Sequence, residues 1–364
     1  MAHKVSMQQI ADRLGVSKYT VSQALSGKRG VSEATRREVM AMAAALGYRV
    51  SQREVKGQSG VLAEMPVILV GLDERQANEP MFWQRVREGI EAGCREHRLN
   101  PIFFTFEAEN NRSSVFPQID DETMQSASGI IIAGKCPAAA LLRMNRTGIP
   151  VVLVDHEEPV ARADAVLNAN GEAGRMASHH LLSQGCRSIA FIGRDSFAVS
   201  FRERFWGCRL ALDDLLGRRS PGTPLTLPEP RSMKAISKSD VHLRKWTIPY
   251  GSQTWMQTLD KRLAAAIADN DFPDGFICAN DDIALHLMQL LLSRGVDVPG
   301  MCRVIGIDNT AASGGGPVPL TTVDLAKEWL GLRAVESLVR KRHAPEAPDE
   351  KVMLSASLVV RQSG

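Results

Sequence analysis

The chain has 364 residues, 44% of them apolar and 23% charged, which excludes a disordered or fibrous protein and suggests two or three folded units. No apolar run approaches the ~18 residues of a membrane span, and Met1-Ala2-His3-Lys4 leads directly into a polar segment with no signal-peptide core, so the expectation is a cytoplasmic protein with no membrane partner. The formal net charge of +3 divides unevenly: residues 1–60 carry ten Lys+Arg against four Asp+Glu, a net +6, which leaves −3 for the remainder. A small basic module joined to a larger, slightly acidic body suits a protein whose head meets a polyanion.

Ser6-Met7-Gln8-Gln9 has capping-box form and predicts a helix start, with Met7, Ile10, Ala11 and Leu14 as its apolar stripe and Gly15 as its end. Ser17 can cap a second helix whose inward residues are Val21, Ala24 and Leu25. Ser32 can cap a third, with Val39, Met42, Ala43 and Leu46 inward and Gly47 as its C-terminal cap. Three short helices with a tight turn between the first two predict a helix-turn-helix, whose second helix enters the major groove. Its outward residues are Lys18, Tyr19, Ser22 and Gln23: Gln23 can bond an adenine edge, Lys18 can reach guanine acceptors, and Tyr19 can bond a phosphate or pack on a thymine methyl; Lys4, Lys28 and Arg29 lie beside phosphates, and the capping Ser17 counts among the DNA-binding residues.

From Pro66 onward, short apolar runs at 67–72, 102–106, 129–133, 151–154, 189–192, 275–278 and 304–307 alternate with amphipathic stretches such as 82–98 and 282–294. This pattern predicts βαβ units and parallel sheets covered on both faces. The Pro- and Ser/Lys-rich stretch 220–240 reads as an exposed loop. Ligands in doubly wound sheets bind beyond the carboxyl ends of strands, which singles out Asp73, Lys135, Asp155, Arg194, Asn280 and Asp308. His179-His180 and Asp155-His156-Glu157-Glu158 give no three-ligand face, and Gly314-Gly315-Gly316 opens no phosphate-binding helix, so neither metal nor cofactor is expected. The six cysteines are scattered without a C-x-x-C pair and read as reduced, mostly buried thiols.

The stretch from Val5 to Tyr48, with Ile10-Ala11, Gly15-Val16-Ser17, Thr20-Val21-Ser22, Val31-Ser32, Thr35-Arg36 and Leu46-Gly47-Tyr48, closely resembles the DNA-binding domain of the lactose-repressor (LacI-type) family of bacterial regulators. Gly129-Ile130-Ile131-Ile132, Gly171-Glu172-Ala173-Gly174, Ile189-Ala190-Phe191-Ile192-Gly193, Ala279-Asn280-Asp281-Asp282 and Val304-Ile305-Gly306-Ile307-Asp308-Asn309 fall in that family's order. The resemblance implies an α/β protein: residues 1–48 form the helix-turn-helix domain and 49–65 a hinge or linker. Residues 66–364 form a periplasmic-binding-protein-like body of two doubly wound subdomains, one of about 66–168 and 317–343, the other of about 169–313 and 344–364. The implied crossings lie near Asn168, at 314–319 and at 343–348.

The same resemblance implies a homodimer bound to a pseudo-palindromic double-stranded DNA operator, controlled by a small-molecule effector of carbohydrate type in the cleft. It places Asn280, Asp308 and Arg204 at effector-binding positions, and Phe82 and Trp83 where they can pack on a sugar ring; the capping and core readings of Asn280, Asp308 and the aromatics remain open. Two departures stand out. Gln23 replaces the Arg common after the Thr-Val-Ser triplet, and residues 49–60 lack the proline and wedge leucine of a hinge helix, with Val55 as the remaining wedge candidate and a flexible linker as the alternative. A doubly wound enzyme fused to such a head would need a nucleophile or base with an activating partner, and none is visible; a solute receptor would need a signal peptide.

Overall fold

A computed structural model of the chain describes residues 7–25, single positions between 32 and 43, and residues 65–74, 80–106, 119, 121–215 and 241–364. Contacts divide the chain into two compact units, residues 1–64 and 65–364.

In the first unit, helices α1 (Met7–Leu14) and α2 (Lys18–Leu25) are joined through Gly15, whose φ of +64° a side chain would resist. The Ser17 hydroxyl accepts from the Thr20 backbone N–H at 2.9 Å, the predicted cap of α2, and Ser32 does the same for Thr35 at 3.2 Å. Ile10, Ala11, Val21, Ala24, Val39 and Ala43 bury into one small core, so the third segment packs as the periodicity predicts. Ser6, the proposed box partner of Gln9, and Gly47 lie outside the described residues.

The second unit holds two six-stranded sheets. The first has order β11-β5-β4-β3-β1-β2, from β1 (Val67–Asp73), β2 (Asn100–Phe106), β3 (Ile130–Ala133), β4 (Val151–Val154), β5 (Asp164–Asn168) and β11 (Lys351–Leu354). The second has order β12-β10-β9-β8-β6-β7, from β6 (Ser188–Gly193), β7 (His242–Thr247), β8 (Gly275–Cys278), β9 (Arg303–Ile307), β10 (Thr321–Asp324) and β12 (Ser357–Val359). Every pairing is parallel except β10 with β12. The central strands β1, β3, β4 and β8 are almost wholly buried, which explains why they appear as uninterrupted apolar runs. The sequence shows no repeat of identities, yet the two sheets repeat one another in topology.

Helices α3 (Pro80–Glu96), α4 (Asp121–Ser126) and α5 (Ala138–Asn145) follow strands of the first sheet. Helices α6 (Asn170–Ser183), α7 (Val199–Leu215), α8 (Trp255–Ala268) and α9 (Asp281–Ser293) serve the second. Helix α10 (Lys327–His343) returns to the first and packs along α3. Two helix pairs approach at backbone distance. A Cβ on Gly331 would stand 2.1 Å from the Val86 carbonyl, and one on Gly174 would stand 2.0 Å from the carbonyl of Arg204.

Two expectations are corrected. Strand β10 belongs to the second sheet and β11 to the first, so the later crossings lie at Leu325-Ala326 and Ser355-Ala356, not at 314–319 and 343–348. Residues 317–324 therefore belong with the second subdomain and 344–354 with the first. Strands β5, β7, β10, β11 and β12 carry no apolar run of the predicted kind: β10 is Thr-Thr-Val-Asp, β7 is a mixed-polarity edge, and β11 alternates exposed and half-buried residues. The stretch 220–240 lies outside the described residues.

Candidate functional site

Both sheets have the 2-1-3 type of strand order, in which the switch point lies between the first and third strands. The register brings Asp73, Gly134, Asp155 and Asn168 to one end of the first sheet, and Arg194, Asn280 and Asp308 to the corresponding end of the second. Two of these residues have strained backbone: Asp155 has φ 53° and Asp308 φ 121°, values that side chains other than glycine rarely adopt.

Arg204 is the hub. It is 3% exposed; its Nε donates to Asn170 Oδ1 at 3.0 Å, its Nη1 to the Ala279 carbonyl at 2.5 Å, and its Nη2 pairs with Asp308 Oδ1 at 3.2 Å. A guanidinium has five N–H groups in a fixed fork: the Nε and one Nη1 N–H are committed to hydrogen bonds, the Nη2 group faces Asp308 as an ion pair, and the second Nη1 N–H is left over. Asn170 Nδ2 in turn donates to the Asn168 carbonyl and to Glu203. The buried Lys327 ammonium, at the second crossing, donates to the Asp308 and Leu325 carbonyls and to Asp324. It thereby secures the strained Asp308 backbone, a role no sequence pattern signalled.

The remaining predicted residues divide. Asn280 Oδ1 caps α9 by accepting from Ile283 N at 3.0 Å, and its Nδ2 donates to the Tyr250 hydroxyl at 2.8 Å, which donates to Asp282. The capping reading therefore accounts for its acceptor, and one N–H is uncommitted. Phe82 and Trp83 meet edge to face at 5.1 Å inside the main apolar cluster, in the first turn of α3, as the core reading has it. Asp73 is buried at the end of β1, whereas Lys135 is exposed and Arg194 bonds Ser196.

Asp155 is half-buried between polar neighbours. Enclosure pushes its carboxyl up to about 6; Arg204 opposes that shift, Glu203 adds to it, and the Asn168 amide opposes it. Asp281, fully buried behind the site, is also pushed up by burial, against hydrogen bonds from Thr322 and Thr310. Sequence reasoning missed Asn168 and Asn170 as site residues and used Asn168 only to mark a crossing. A cavity of about 510 Å³ lies at the opposite end of the first sheet, lined by Ser128, Pro150, Arg162 and Lys341 among others, and contains none of the predicted residues.

On the head, Lys18 and Ser22 are exposed and Ser17 caps from the surface, so the outward face of α2 is open as the pattern requires. The side chains of Tyr19 and Gln23, and residues Lys4, Lys28, Arg29 and Val55, lie outside the described residues. Among the described residues no group of His, Cys, Asp and Glu can hold a metal ion, and no helix is long and apolar enough to cross a membrane. All six cysteines are free and buried.

The family model described as bacterial regulatory proteins, lacI family, matches residues 6–51, and that of the periplasmic binding protein-like domain matches 178–364. The HTH-type transcriptional repressor PurR of Mannheimia succiniciproducens is 23% identical over 366 residues, covering 98% of each chain. The Lac repressor dimer bound to operator and the anti-inducer ONPF superimposes with a TM-score of 0.62 at 20% identity over 99% of both chains. A LacI-family regulator from Enterococcus faecium with bound ribose gives a TM-score of 0.64 at 21% identity over 81% of this chain and 98% of that one. With its head matched by one model and half of its length by the other, the chain belongs to the LacI family of DNA-binding transcriptional regulators.

Proposed function

We propose that this regulator is a repressor whose grip on its operator is set by a sugar-type effector bound where the carboxyl ends of the two sheets converge. The observation that carries the reading is the buried network of Arg204, Asp308 and Asn170. A cation, a carboxylate and an amide held at strand ends, with an N–H group to spare, can bond several hydroxyls of one ligand. Asp73 and Asn280 complete the polar lining. Bound ribose in the Enterococcus faecium regulator supports a carbohydrate as the ligand class.

Residues 1–48 serve as the reading head and 49–65 as the connector. Lys18, Ser22 and Gln23 face base edges, Tyr19 a phosphate or a thymine methyl, Lys4, Lys28 and Arg29 phosphates, and Val55 the minor groove, with Ser17 at the cap of the reading helix. A homodimer pairs two heads on a pseudo-palindromic site, since one short helix contacts few base pairs. The curated relatives are transcriptional regulators, and binding alone suffices for the switch: a ligand with unequal affinity for two body conformations shifts their populations. The test is an operator-binding titration on the full chain with and without a panel of free sugars. One sugar should change operator affinity by fivefold or more; no change with any sugar overturns the reading.

A further inference from the structure

The cavity of about 510 Å³ at the starting end of the first sheet lies away from the predicted effector residues and has the size of a small-molecule site. Ser128 borders it ahead of β3, Asn145 at the end of α5, and Lys341 and Arg342 in the last turn of α10; the loop from α10 to β11 adds Glu346 and Asp349. Ile149, Pro150, Val151 and Pro345 make the rest of its wall apolar. Part of the charge is already committed. The Lys341 ammonium donates to the Ala347 carbonyl at 2.7 Å and to Asp349 Oδ1 at 2.6 Å, and Arg162 stands 3.9 Å from the other Asp349 oxygen. The remainder is free: among the described residues the Ser128 hydroxyl, the Asn145 amide, the Arg342 guanidinium and the Glu346 carboxylate have no side-chain hydrogen bond or ion pair. These charges choose the ligand. Arg162, Lys341 and Arg342 against Glu346 and Asp349 leave one positive charge in excess, which a monoanion neutralises and a phosphate dianion would overshoot beside two carboxylates. A planar guanidinium holds a carboxylate through two parallel N–H bonds, and an apolar wall is matched by hydrocarbon and not by a ring of hydroxyls.

We propose that this cavity is a second small-molecule site, separate from the effector cleft, which takes a monocarboxylate with an apolar body: Arg342 pairs with the carboxylate, and Ile149, Pro150, Val151 and Pro345 cover the hydrocarbon. The loop of residues 344–350 that borders it lies between the crossings at Leu325-Ala326 and Ser355-Ala356. An acid bound there touches the chain that runs from one crossing to the next, and so acts on the body by a route independent of the cleft.

The test is calorimetric titration of the full chain with benzoate, phenylacetate and isovalerate, and with benzyl alcohol and inorganic phosphate as the neutral and dianionic controls. At least one of the three carboxylates should bind with a Kd of about 1 mM or tighter, ahead of both controls. Arg342→Gln should weaken that binding tenfold or more, and Arg342→Lys should restore only part of it, because an ammonium lacks the planar fork. Glu346→Gln should tighten it by removing a like charge, and Asp308→Asn, in the cleft, should leave it within twofold of wild type. Arg342 and Glu346 hold no partner, so their variants should keep the wild-type unfolding midpoint. Binding of none of the three carboxylates, or binding of benzyl alcohol or phosphate as tight as theirs, overturns the proposal. So does a carboxylate affinity within twofold of wild type in Arg342→Gln. A loss in Asp308→Asn equal to that in Arg342→Gln places the acid in the cleft and overturns it as well.

Discussion

Asp155 gives the cleft a pH signature. Its folded pKa of about 6 lies above the ordinary carboxylate value of 3.8, so the folded state keeps its proton to higher pH than the unfolded chain does. The sign follows: stability falls as pH rises from about 4 to about 6 and is level beyond, because ionising the enclosed carboxyl opposes folding. Asp155→Asn should therefore raise the unfolding midpoint at pH 7 and lose that advantage near pH 4; thermal scans across the range check it. Arg204 behaves in the opposite way. Arg204→Ala removes the ion partner of the buried Asp308 carboxylate and the donor of two further acceptors, Asn170 Oδ1 and the Ala279 carbonyl, and should cost about 3–5 kcal/mol in denaturant unfolding. The double change Arg204→Ala with Asp308→Asn should recover part of that loss, since the stranded charge is gone. The two residues were legible beforehand because they follow strand-like runs or match the family's order. Lys327 and Asn168 were not: a lysine opening an amphipathic helix looks like a solvated charge, and only the topology turns it inward to the Asp308 carbonyl.

The same division holds for elements. Central strands are buried on both faces and announce themselves as apolar runs, whereas the edge strands β7, β11 and β12 are half-exposed and read as ordinary polar chain. The crossings were misplaced for that reason, because β11 and β12 were invisible. The glycine contacts between helices carry the more specific prediction. Gly174 lets α6 lie against α7 at the very carbonyl of Arg204, and a Cβ on Gly207 would stand 2.0 Å from the Gly171 carbonyl. Gly174→Ala must displace the α7 backbone and move Arg204 with it. It should weaken effector binding by tenfold or more and lower the unfolding midpoint, while Gly148→Ala, in open space but at φ 73°, should lower the midpoint without touching ligand affinity.

At the scale of the whole molecule the head and body must exchange free energy. If the effector changes operator affinity by some factor, operator must change effector affinity by the same factor, and paired titrations with and without DNA measure both. Unequal factors would mean that the binding is not at equilibrium between the same two states. On the head, Lys28→Ala should weaken binding to all sequences alike and lower the salt slope by about one unit, whereas Gln23→Ala should relax the choice at one base pair. Equal losses on operator and random DNA for Gln23→Ala would remove it from direct readout.

The three connections between the sheets set what motion can carry that exchange. They are Ala169, Leu325-Ala326 and Ser355-Ala356: one, two and two residues. Each linking chain spans at most about 3.3–3.6 Å per residue, so the two halves cannot slide past each other or separate by more than a few ångströms. Three short straps side by side act as a door hinge acts, forbidding translation and leaving one easy rotation. Any message from the cleft must leave the body as an angle.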